Sequence, residues 1–173
     1  GRDSPQKNLL SLLKSLEIIK QHGDSISLLL LGGAGQSIEL ENYAKSKGLD
    51  VTFLPNVPNE KIPEYMNMSK SFILPSHYEG HPKVLLEAMS CGLPCIGTPV
   101  RGIQEEIEHG KTGYLSADTS PQAMADSIQT ILADTSMMKK LGKNARDYIC
   151  SRYSLEKIID LEYNCINRVM NEW

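Results

Sequence analysis

"SFILPSHYEGHPKVLLEAMSCGLPCIG", Ser71 to Gly97, is the stretch that decides the fold. It opens on "SFILP", an apolar run of strand length closed by a proline. The residues after Pro82 read as a helix, and "PCIG" is a second short apolar strand. Two strands joined by a helix and by connections too long for a hairpin are expected to run parallel.

The same alternation extends in both directions. Upstream, Ser4 and Pro5 open a helix whose Leu9, Leu12, Leu13, Leu16 and Ile19 share one face. "SISLLLLGG" reads as a strand buried on both faces. A helix over 38–47, a strand in "DVTFL" and a short helix over 59–68 lead back to Ser71. Downstream, "GIQEEIEHG" reads as a short helix and "GYLS" as a strand, before three closing helices over 121–133, 136–150 and 155–173. The pattern predicts an α/β chain: a Rossmann-like, doubly wound parallel sheet with helices on both faces.

The 173 residues are 40% hydrophobic and 23% charged, enough for one core and one domain over 1–173. A net charge of −3 and the lack of any basic run argue against a nucleic-acid or membrane-surface binder, so any anion site is local. Cys91, Cys95, Cys150 and Cys165 lack zinc-site spacing and read as small reduced core residues, which suits a cytoplasmic protein. "ISLLLLG" is too short to span a bilayer.

In a doubly wound sheet, ligands bind beyond the carboxyl ends of the strands. "LGGAG", "LPNVP", "LPSHYEGHP" and "GTPVRG" all sit there. "LGGAGQS" lacks the dinucleotide spacing. Its glycines, Gly33 among them, allow either a tight turn or close approach by a ligand. Glu79 and Glu87 flank the start of the helix after Pro82, where unpaired N–H groups favour an anion. Glu87 interrupts an apolar helix, and a carboxylate matches a vicinal diol. Two such groups around an anion site suit a nucleotide sugar. On spacing alone, pairing of Glu87 with Lys83 and solvation of Glu79 remain equally open. Arg2 and Lys7 could neutralise a diphosphate without a metal, or be ordinary surface charges. No Asp-x-Asp pair stands at a strand end to hold a divalent cation, so neither metal nor cofactor is expected.

Together, "GR" followed by "KN", "LLLLGGAG", "VTFLPNV" and above all "LPSHYEGHPKVLLEAMSCGLPCIGTPVRGIQEEIEHGKTGYL" resemble the nucleotide-sugar-binding half of a retaining GT-B glycosyltransferase of family 4. The resemblance runs from Gly1 to about Leu115. It implies that Arg2 and Lys7 contact the diphosphate and that Glu79 bonds the donor sugar. Backbone N–H groups of Gly80, His81 and Lys83, around Pro82, would lie near sugar and phosphate. Glu87 would hold the ribose, and the turn Pro55, Asn56 and Val57 would lie against the base. Arg101, where many members carry glycine, is expected in solvent, and His81 is expected to be a loop residue rather than a base.

The resemblance further implies a preceding acceptor domain, so the chain is expected to be a donor-binding fragment, inactive alone, whose last helix packs on the missing part. The acceptor would be a glycan or glycolipid, and the full-length protein could associate with the inner face of a membrane. An epimerase or phosphorylase of the same fold, or a non-catalytic nucleotide-sugar sensor, is the alternative.

Overall fold

The computed structural model describes residues 4–32 and 38–171. Five short strands alternate with helices: α1 Leu9–Gln21, β1 Leu28–Leu31, α2 Ile38–Ser46, β2 Val51–Leu54, α3 Ile62–Met68, β3 Phe72–Leu74, α4 Lys83–Ser90, β4 Cys95–Gly97, α5 Arg101–Gln104, β5 Tyr114–Leu115, α6 Pro121–Ala133, α7 Thr135–Tyr153 and α8 Leu155–Asn171. Every strand pairing is parallel, as the crossover pattern of Ser71–Gly97 requires.

Alternation along the strands buries both faces. Phe72, Leu74, Cys95 and Leu115 turn into a core with Leu85 and Met89 of α4 and Ala145 of α7. Their neighbours Ile73, Ile96 and Tyr114 turn the other way, onto Leu12 and Leu16 of α1 and Ile128 of α6. This is the period of two of a strand sandwiched between helix layers.

The α/β fold with parallel strands between helix layers is as expected, and four details within it differ. The ladder is split into a two-stranded sheet, β1-β2, and a three-stranded one, β3-β4-β5. All four leucines of β1 are half-buried rather than buried on both faces. The first helix is not continuous from Pro5. Pro5–Lys7 form a 3-10 turn, Asn8 breaks the run with φ 53°, and α1 starts at Leu9. Left-handed backbone costs little for asparagine, and Asn8 is buried with its Nδ2 donating to the Thr119 carbonyl at 3.0 Å. Of the four cysteines, Cys150 and Cys165 are exposed, on α7 and α8. The apolar residues of α8, including Leu155, Ile159, Ile166 and Met170, are exposed as well. No described helix is long and apolar enough to cross a membrane.

Candidate functional site

The carboxyl ends of β3 and β4 and the N-terminal turn meet around Glu79. The His77 N–H donates to the Gln6 carbonyl, and Gln6 Nε2 donates to the Tyr78 carbonyl, both at 2.8 Å. These two bonds dock the turn carrying Lys7 onto the loop that follows β3. Lys7 Nζ then donates to Glu79 Oε1 at 2.7 Å, and Ser76 Oγ donates to the same oxygen at 2.6 Å. Ser76 is tied in turn to the end of β4, its carbonyl accepting from Thr98 Oγ1 at 2.5 Å. Glu79 is only 8% exposed. A carboxylate so buried needs its charge balanced, and Lys7 supplies the balance. Its second oxygen, Oε2, accepts from no described residue.

Pro82 caps α4 with its carbonyl alone, accepting from the N–H groups of Leu85 at 2.9 Å and Leu86 at 3.4 Å. Those of Lys83 and Val84 find no acceptor among the described residues. The helix therefore presents two unpartnered donors where an anion is favoured. Lys83 itself is exposed.

Glu87 stands outside the buried stripe of its helix. Leu85, Ala88 and Met89 form the buried stripe of α4, while Glu87, two residues from Leu85 and so about 200° round the helix, is exposed. No burial has to be compensated there, and no ion pair joins it to Lys83. Its side chain lines a shallow groove between α3 and α4 with Asn59, Ile62, Met66 and Cys91.

Gly80 stands two residues before the Pro82 cap of α4. Its φ lies outside the left-handed region, and a Cβ there would meet nothing within 4 Å. The chain's own packing does not call for glycine. Gly102 is the reverse case: a Cβ would lie 2.3 Å from the Gly80 carbonyl oxygen and 2.4 Å from that of Glu79, so α5 supports the loop backbone to backbone.

The Gly32 N–H bonds the Leu54 carbonyl at 3.0 Å, which brings the ends of β1 and β2 side by side. Pro55 and Asn56 follow in exposed positions, and Val57 is half-buried. Arg101 extends into solvent, with Nε 2.9 Å from Glu105 Oε1. His81 is half-exposed, its Nδ1 3.4 Å from Glu106 Oε1. Arg2 and Gly33 lie outside the described residues. Burial, with Cys91 adding to it, pushes the Cys95 thiol far above its ordinary range, so it is a protonated core group and not a nucleophile. Among the described residues, no His, Cys, Asp and Glu cluster is arranged to hold a metal ion.

Sequence reasoning thus named Lys7, Glu79 and the start of α4, which the structure assembles. It missed Gln6, Ser76, Thr98, Gly102 and Glu106. Ser76 and Thr98 follow the ends of β3 and β4, the rule already used for Glu79, whereas Gly102 and Glu106 lie in and just after α5.

The family described as Glycosyl transferases group 1 matches residues 1–148. N-acetyl-alpha-D-glucosaminyl L-malate synthase of Bacillus anthracis is 35% identical over 132 residues, 76% of this chain and 35% of that protein. The capsular polysaccharide biosynthesis glycosyltransferase CapM of Staphylococcus aureus is 29% identical over 180 residues, 99% of this chain and 46% of that one. Among solved structures, Anabaena HepE in complex with UDP superposes with a TM-score of 0.86 at 25% identity, covering 97% of this chain and 47% of HepE. The chain spans about a third to a half of the length of these proteins.

Proposed function

The chain belongs to the glycosyl transferases group 1 family, and from that premise we propose that it is the donor-binding domain of a retaining, metal-independent glycosyltransferase that takes a hexosyl group from a nucleoside diphosphate sugar. The observation that carries this reading is the Lys7–Glu79 pair at 2.7 Å, placed beside a helix start with two unpartnered N–H groups. A sugar hydroxyl, a diphosphate and a cation to neutralise it each have a counterpart there. The complexes of HepE with UDP and with UDP-glucose add support.

In this reading the donor's diphosphate sits over the N–H groups of Lys83 and Val84 and draws on Lys7 and Arg2. Glu79 Oε2 accepts from a hydroxyl of the sugar. The Glu87 carboxylate takes the ribose diol, with the base toward Pro55, Asn56 and Val57, and Gly33 lies close to the ligand. The bond from the anomeric carbon to the diphosphate breaks as a bond to an acceptor hydroxyl forms on the same face. The acceptor's proton passes to the departing diphosphate, so no protein base is required at His81. Lys7 opposes the charge growing on the leaving group, an interaction stronger in the transition state than before it. Glycan or lipid acceptors fit the relatives, among them a GDP-mannose-dependent phosphatidylinositol monomannoside mannosyltransferase, and the reaction would take place in the cytoplasm.

Calorimetry of the chain with UDP, GDP and ADP in excess chelator tests the proposal. Micromolar binding of one of them is expected; binding of none, or only with a divalent cation restored, would overturn it.

A further inference from the structure

Three groups from three elements meet behind the loop that carries Glu79. Glu106, in the turn closing α5, is 5% exposed. The hydroxyl of Tyr153, at the end of α7, lies 3.0 Å from its Oε1 and 3.3 Å from its Oε2. His81 Nδ1 lies 3.4 Å from Oε1, with the His81 and Tyr153 rings 6.1 Å apart. Glu106 belongs to the same short segment whose Gly102 is pressed against the carbonyls of Glu79 and Gly80. The segment thus meets the loop twice, through Gly102 against its backbone and through Glu106 beside His81.

A buried carboxylate persists only where donors or a cation meet it. Tyr153 offers a neutral donor; burial and the neighbouring Glu106 raise its hydroxyl above the usual range and keep it protonated. The other charges nearby are engaged elsewhere. Arg152 donates to the Tyr148 hydroxyl at 2.7 Å, that hydroxyl bonds the Glu105 carbonyl at 3.4 Å, and Glu105 pairs with Arg101. On the loop, Glu79 is bound to Lys7, and Lys83 is exposed. His81 is therefore the side chain of the loop that meets Glu106.

We propose that Glu106 and Tyr153 are positioning residues for the donor: through His81 they fix the Gly80–Lys83 loop, which presents Glu79 and the N–H groups of Lys83 and Val84 to the nucleotide sugar. The proposal rests on the donor-site reading above.

Backbone 15N relaxation on the whole chain tests the anchoring without any ligand. In Glu106→Gln and in His81→Phe, order parameters at Gly80, His81 (Phe in the variant) and Lys83 should fall from about 0.85 toward about 0.6, while those of Cys95 and Ile96 in β4 stay unchanged. The double variant should loosen the loop no further than either single one. Tyr153→Phe, a smaller change on a partly exposed ring, repeats the measurement at less cost to folding. A loop unmoved in all three variants, loosening that extends into β4, or additive effects would overturn the anchoring. In a second arm, UDP affinity measured by calorimetry should drop about five- to tenfold in Glu106→Gln and His81→Phe. Unchanged affinity over a loosened loop would remove the positioning role. If the unaltered protein binds no UDP, GDP or ADP, the donor-site reading fails and the positioning role with it, while the order parameters still decide whether Glu106 anchors the loop.

Discussion

Lys7 and Glu79 stand 72 positions apart in the chain and meet with Nζ 2.7 Å from Oε1. The pair does two things at once, neutralising a carboxylate that is 8% exposed and closing the N-terminal turn onto the end of β3. Lys7→Met should therefore cost stability as well as ligand. With Lys7 itself 30% exposed, the loss should be about 1–2 kcal/mol rather than the larger figure of a fully buried pair. Adding Glu79→Gln removes the stranded charge, so the double variant should be more stable than Lys7→Met alone. Urea unfolding of the parent and both variants measures both effects. Equal stability of all three would mean that the pair is ornamental.

Gly80 and Gly102 touch across the loop yet should respond in opposite ways. Gly102→Ala drives a methyl group into two backbone carbonyls that cannot rotate aside, and overpacking of that kind costs about 1–3 kcal/mol. Gly80→Ala meets open space and should leave the unfolding midpoint within about 0.5 kcal/mol of the parent. If a sugar nucleotide lies against Gly80, that same harmless methyl should weaken it. Thermal unfolding paired with UDP-glucose titration separates the cases, and a Gly80→Ala protein that binds unchanged would place the ligand elsewhere.

The helix and strand order was readable because punctuation and period agreed: Pro121 opens α6 where proline should, and Leu85, Ala88 and Met89 repeat at helical spacing. Long-range pairing was less readable. Nothing local to Lys7 says that it will meet Glu79, and nothing in Asn8 says that it will leave the helix, since tertiary bonds to Thr119 and the docking of Gln6 decide both. The exposure of Glu87 is not evident from its run of apolar neighbours, because an eight-residue helix on one side of a sheet buries a stripe and leaves the opposite face free. Glu106 looked like one more charge among "EEIEHG". Only its turn inward to Tyr153 and His81 sets it apart from Glu105.

At high pH the contact between α1 and α2 should limit stability. The Tyr43 hydroxyl donates to Glu17 Oε2, and burial, reinforced by that carboxylate, raises its pKa from the ordinary 10 to about 12. A pKa raised in the folded state gives stability that is whole below pH 10. It is lost as pH climbs toward 12, where the unfolded chain has already released the proton and the folded one has not. Unfolding free energy should fall across that window, and Tyr43→Phe should flatten the fall. Parallel slopes for the two proteins between pH 10 and pH 12 would contradict the assignment.

Glu87 provides the sharpest separation of ligand from fold. It is exposed, has no ion pair with Lys83, and sits outside the buried stripe of α4, so Glu87→Gln should leave stability within about 0.5 kcal/mol of the parent. A residue that does nothing for the fold has its effect, if any, on what enters the groove between α3 and α4. Should its carboxylate hold a ribose diol, exchanging one charged acceptor for an amide costs about 1.5–3 kcal/mol, roughly one to two orders of magnitude in affinity, for nucleotide and sugar conjugate alike. The 2′-deoxy nucleotide lacks half of the diol, so its affinity should hardly change, and the preference of the parent for ribose should disappear. Lys83→Met, in contrast, should leave that preference intact, because no bond links Lys83 to Glu87. Titrating the parent and both variants with UDP and 2′-deoxy-UDP gives six affinities. A ribose preference that survives Glu87→Gln would take the diol away from Glu87 and leave its position in the groove unexplained.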